Sequence, residues 1–192
     1  MRELNKKLIS YLEAKLAANG LYQNAVKEKN ARQIVWLAAT ALVGIKEKSG
    51  KNDGEMVNLI QDTVGGMEQW PWCMSLVQSC IAFAEYKTGV KSPVVASEHC
   101  VTVWNKTTKT KRVKDIPLAG AIAIWQDTGK QTGHTEIVLS ADESKFQCVG
   151  GNTSGTTKPN EEVNREGNGV FYTSRSYAST KKRKLLGFIK PF

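Results

Sequence analysis

Leu4, Leu8, Leu12 and Leu16 recur at every fourth position, with Ile9 and Tyr11 beside them and lysines and glutamates filling the other face. That spacing predicts an amphipathic helix, stopped by Asn19-Gly20. A second helix is predicted from Asn24 to about Lys48, its broad apolar face built from Ile34, Val35, Leu37, Ala38, Ala41, Leu42 and Ile45. The turn-rich "SGKNDGE" breaks it, and "MVNLIQDTV" reads as a short third helix closed by Gly65-Gly66. A fourth starts within "QWPWCMSLVQSC", where Pro71 suits a first helical turn and Leu76, Val77, Cys80, Ile81, Phe83 and Ala84 supply the apolar face.

Beyond about Gly89 the period changes. Short runs at Ala121–Trp125, Thr135–Ser140 and Lys145–Val149, separated by clusters of Gly, Asp, Ser and Thr, read as strands. "GVFYTSR" and "KLLGFIKPF" would complete a sheet, while Val94–Trp104 does not decide between helix and strand. Helices first and strands afterwards predict an α+β domain with N-terminal helices packed on an antiparallel sheet. No internal repeat is visible. The chain divides into an N-terminal amphipathic helix (1–22) and one domain (23–192), since 192 residues at 41% hydrophobic fill one core but not two. Packing of the first helix on that domain is the favoured reading, and Lys6, Lys7 and Lys15 leave membrane contact open.

Composition adds a partner class. A formal charge of +9 draws the surface to polyanions: nucleic acid, anionic lipid or acidic wall polymers. The basic runs 106–114 and 181–184 lack the interleaved aromatics of single-strand binders, so nucleic acid is not the expected partner. The N-terminus is broken by charge every few residues and lacks the apolar core of a secretory signal. Synthesis in the cytoplasm is the expectation. The longest apolar run, Ile34 to Ile45, is too short to span a bilayer.

The chemistry centres on Cys73. Four cysteines occur without a C-x-x-C pair, so neither a zinc ribbon nor a thioredoxin-type motif is supported, and all four read as free thiols. At a helix start, unpaired N–H groups and the positive end of the dipole favour a thiolate. Cys80, two turns on, reads as a small buried hydrophobe. Helix position alone does not choose between nucleophile and core residue for Cys73. A nucleophilic cysteine needs a base, and there are two histidines. His99 reads as structural or surface. His134 opens a predicted strand and is the better base. Asn152, in "GGNTSG", is a candidate to orient the ring. A three- or five-residue connection between the strands flanking "ADESK" places it across from His134, whereas two or four residues move it off that face.

The ordered pieces "ALVGIKEKSGKNDGEMVNLIQ", "PWCMSLVQSC", "IPLAGAIAIW", "GHTEIVLS", "FQCVGGNTSG" and "LLGFIKP" resemble the CHAP and NlpC/P60 group of cysteine peptidoglycan hydrolases, especially phage endolysin-like members. The resemblance runs from about Ala41 to Phe192. It implies a papain-like fold in which Cys73 attacks an amide carbonyl, His134 is base and then acid, and Asn152 orients the ring. The substrate would be peptidoglycan, cut within its peptide or at the muramoyl–L-alanine amide. Gln69 and Trp72, ahead of the helix, and Glu136, which shares a face with His134, are further candidates for oxyanion or substrate contact. Glu136 reads equally as a solvent-facing residue. The chain departs from many relatives at Ala121, where they are acidic, and at Gly150, where they carry Glu. Some relatives bind calcium through an acidic loop before the cysteine; here that loop has only Glu68, so no metal or other cofactor is expected.

A monomeric endolysin-like enzyme, released to the wall through a holin-like pore or by dedicated export, is thus the leading expectation. The alternative is a non-catalytic basic module on the same fold that attaches to wall or membrane surface.

Overall fold

The computed structural model describes residues 2–157 and 164–192. Helices α1 (Lys6–Leu16), α2 (Gly20–Lys27), α3 (Ala31–Ala41), α4 (Glu55–Asp62) and α5 (Cys73–Thr88) come first, then the short α6 (Cys100–Lys106). The strands follow: β1 (Arg112–Val113), β2 (Ile122–Asp127), β3 (Gly133–Ala141), β4 (Lys145–Gly155), β5 (Asn164–Ser176) and β6 (Arg183–Ile189). They form one antiparallel sheet in the order β1-β6-β2-β3-β4-β5. Helices on an antiparallel sheet are the α+β arrangement of a papain-like domain.

Asparagines set the helix breaks that apolar spacing did not reveal. Asn5, Asn19 and Asn30 each accept a backbone N–H in the first turn of α1, α2 and α3. Such caps cover donors that have no partner inside the helix. Asn19 therefore begins α2, where a stop was expected, and the predicted 24–48 helix is split: Lys29 turns to φ 53 and Asn30 starts α3. That second helix also ends early, because Gly44 turns at φ 92 and Lys46 pairs with Gly169 as an extended bridge.

Leu8, Leu12 and Leu16 are buried in the same core as α3 and α5, so the predicted leucine row is covered by protein. Arg2 ties the chain start to Gln78, Glu85 and the Val94 carbonyl. The boundary drawn at residue 22 falls inside α2. No helix among the described residues is long and apolar enough to cross a membrane.

Helix α5 is the centre of the molecule. From Cys73 to Ala84 every residue is buried, with α3 and α4 against it and β3 and β4 beneath. Its buried polar residues are satisfied there: Gln78 donates to the Val95 and Ser97 carbonyls and Ser79 to the Ser75 carbonyl. Alternation divides the sheet: Ile122, Ile124, Ile137, Val149 and Ile189 join the helical core, while Ala121, Ala123, Trp125, Val138, Phe146 and Phe188 form a second, aromatic-rich cluster on the other face. Val94–Trp104 resolves into an irregular stretch followed by α6.

Candidate active site

Cys73 is the first residue of α5, and the cap residue Trp72 contributes no side-chain hydrogen bond to the first turn. The amide groups there are left to face whatever negative charge lies at the helix end. Cys73 is 6% exposed, at the floor of a cleft of about 540 Å³ whose walls include Trp70, His99, Cys100, His134 and Asn152.

His134 enters from the start of β3, next to the helix end. Gly133 makes that approach feasible, because a Cβ there would stand 2.0 Å from the Trp125 carbonyl oxygen on β2. Hydrogen bonding from the Cys100 thiol, opposed by burial, and then the His134 side chain and the Thr135 backbone bring the Cys73 thiol well below its ordinary range. Burial alone would lower His134, but bonding to Cys73 and Glu136 prevails and raises it to about 9. The arrangement favours a thiolate beside an imidazolium at neutral pH.

The ring is held by Glu136. His134 Nε2 donates to Glu136 Oε1 at 3.0 Å, which leaves Nδ1 for the cysteine. Glu136 is fully buried. Thr173 Oγ1 donates to its Oε2 at 2.7 Å, Arg175 Nε to the same oxygen at 2.9 Å, and Arg175 Nη2 to Oε1. Burial would raise this carboxyl, yet Arg175 and His134 pull it down to about 2. Neither sequence reading of Glu136 describes it, since it faces neither substrate nor solvent.

Its place has a structural explanation. Ala141 pairs with Phe146, the register that turns Asn152 away from His134, but a bulge between Val138 and Ser140 restores the other, and Ile137 pairs with Val149. Continuing that count sets Gly150 opposite Glu136. A Cβ at Gly150 would lie 2.7 Å from Glu136 Cγ. The missing side chain at 150 makes the room that the Glu136 carboxylate occupies from the neighbouring strand.

The same count sets Asn152 opposite His134, but its backbone turns to φ 51, beside register shifts between β4 and β5. Its amide donates instead to Glu47 Oε1 at 3.1 Å and Asn52 Oδ1 at 2.6 Å. Asn152 thus borders the cleft without bonding the ring. Glu47 also accepts from Trp72 Nε1 at 2.9 Å and from the backbone N–H of Asn52 at 2.9 Å. Trp72 is wholly buried by this network, which removes its side chain from substrate contact. Gln69 is exposed at φ 68, and its backbone pairs with Asn52 in both directions. It shapes the approach to Pro71 and is not among the residues lining the cleft.

The residues missed from sequence are Glu47, Asn52, Trp70, Cys100, Thr173 and Arg175. Cys100 Sγ lies 3.8 Å from Cys73 Sγ. Trp70 is exposed on the cleft wall. Cys80 and Cys148 are buried elsewhere, where burial pushes both thiols up. His99 caps α6 and sits in the open, 3.6 Å from Glu98. No group of three or more His, Cys, Asp or Glu side chains among the described residues could hold a metal ion.

No curated protein matches the chain. Residues 64–152, from the turn after α4 through the cysteine helix, the histidine strand and Asn152, match the CHAP domain family. That match lies over the very segment that builds the cleft, and across it the chain is similar to a CHAP domain.

Proposed function

We propose that this protein hydrolyses an amide bond in the peptide part of peptidoglycan by a thiol mechanism, in an endolysin-like role in wall lysis. CHAP domains are in general cysteine- and histidine-dependent amidases or peptidases acting on that polymer. The observation that carries the reading is the chain of contacts from Cys73 to His134 to Glu136, open to the cleft at the sulfur and closed by Arg175 at the far end.

Cys73 is the nucleophile. Its sulfur adds to the carbonyl carbon, and the oxyanion that forms takes a hydrogen bond from the backbone N–H at the start of α5. Protonated His134 gives its Nδ1 proton to the departing amine, leaving an acyl thioester on Cys73. Neutral His134 then takes a proton from water, hydroxide adds to the thioester carbon, and the thiolate leaves. Glu136 is a positioning residue: it fixes Nε2 and steadies the imidazolium, the part an orienting acid or amide plays in such triads. The assignment replaces Asn152, which serves the loop ahead of the nucleophile through Glu47 and Asn52.

A groove of about 1040 Å³ on the other side of His134 supports an anionic substrate. Lys130, Arg175, Lys181, Lys182 and Arg183 line it, with Asp127 bonded to Arg183 at 2.8 Å. The groove also favours the second reading, a binding module that holds anionic wall polymer without cutting it. Clearing of purified peptidoglycan separates the two. Wild type should release soluble fragments, while Cys73→Ala should bind and release nothing. Pull-down by wall without release from wild type would establish the binding module instead.

A further inference from the structure

Cys73 shares its cleft with a second thiol. Cys100 opens α6, lines the same depression, and sits with its sulfur 3.8 Å from that of Cys73. All four cysteines are free, and the other two do not line this cleft. We propose that Cys73 and Cys100 form a redox modification site, at which a hydroperoxide oxidises Cys73 and Cys100 then closes a reversible disulfide that withdraws the nucleophile.

Geometry and chemistry agree on the order of events. The sulfurs must approach by less than about 2 Å to reach bonding distance. Cys100 is carried by the seven-residue α6, which follows an irregular stretch free of helix and strand, so it rides on a short element. Cys73 is the more acidic thiol of the pair, whereas bonding to Cys73, together with burial, pushes Cys100 well above its ordinary range. The ionised sulfur is the one a peroxide attacks first. In that step Cys73 sulfur takes the terminal peroxide oxygen, the O–O bond breaks, and the alkoxide leaves as an alcohol with a proton from the site. Cys73 becomes a sulfenic acid, oxidised by two electrons. Cys100 sulfur then attacks Cys73 sulfur, the S–O bond breaks, and the hydroxyl leaves as water with the proton from Cys100. Two thiols and one hydroperoxide give one disulfide, one alcohol and one water. Closing the disulfide diverts Cys73 from the sulfinic and sulfonic acids, from which a thiol reductant does not restore it.

The test uses thiol chemistry alone, so it stands apart from any activity on peptidoglycan. The reduced full chain is treated with hydrogen peroxide, alkylated with iodoacetamide, and mapped by mass spectrometry without reduction. The expected product is a cross-linked peptide pair containing Cys73 and Cys100, two hydrogens lighter than its parts. Alkylation of Cys73 should fall about tenfold or more and return after dithiothreitol. In Cys100→Ser and Cys100→Ala, Cys73 should pass to sulfinic acid, and its alkylation should not return. Wild type whose Cys73 is overoxidised while Cys100 remains free to alkylate would overturn the proposal. So would full recovery by dithiothreitol in a folded Cys100→Ser chain. The wild-type map decides the matter even if both variants fail to fold.

Discussion

Replacing Glu136 by Gln keeps the size of the side chain and removes its charge, which makes it the sharpest probe of what orients His134. The carboxyl stands at about 2 against an ordinary 4.5, and that fall corresponds to about 3 kcal/mol of preference for the ionised form. The gain comes from Arg175 and His134 and outweighs burial. Glu136→Gln forfeits it, and Arg175, one-third exposed, recovers part of its share from water. His134 should then drop from about 9 toward its ordinary value, and the thiolate beside it loses its counter-charge. The rate of iodoacetamide reaction with Cys73, followed against pH, should shift its midpoint upward by about one pH unit. Wall digestion should slow by about 10²- to 10⁴-fold, the usual share of general acid–base catalysis, with the upper end the loss seen when a triad histidine loses its charged partner. A folded Glu136→Gln chain with the wild-type alkylation midpoint and wild-type digestion rate would refute the argument.

Three further outcomes follow from the same geometry. Glu136→Gly with Gly150→Glu in one chain should regain part of the digestion lost in Glu136→Gly alone, since both positions aim at one space; equal activity of the single and double variants would deny the exchange. Asn152→Ala should be milder than His134→Ala in digestion assays, and Asn152→Gly should be the more stable of the two by about 1 kcal/mol in urea unfolding, because residue 152 sits at φ 51. Stability should also vary with pH in two windows. Glu136, depressed when folded, contributes above pH 4.5 and loses that contribution as pH falls toward about 2. His134, raised when folded, contributes fully below 6.5 and loses it as pH rises through about 9. Denaturant midpoints of wild type and Glu136→Gln across pH 2 to 5 should converge at the acid end.

The elements that repeated over several residues were legible in the chain: the leucine row of α1, the apolar face of α5 behind Pro71, and the alternating strands. Asn30 was less so, because a single cap within a long apolar stretch costs the helical pattern almost nothing while deciding where the backbone turns. Within the site, local rules of helix ends and strand openings marked Cys73 and His134 as candidates, and the fold brings both to one cleft. The partner of His134 was not, since its choice depends on one bulge in β3, a positive φ at Asn152 and the missing side chain at Gly150. Cys100 was hidden for a different reason: 27 residues separate it from Cys73, and only the fold of the irregular stretch before α6 brings the sulfurs together.

Mass analysis of the soluble fragments released from purified peptidoglycan tests the central claim most directly. Wild type should yield fragments carrying a new amine and a new carboxyl at one amide bond of the wall peptide, and Cys73→Ala should yield none. Intact wall after exposure to active-site-reduced wild type, or the same fragments from Cys73→Ala, would contradict it.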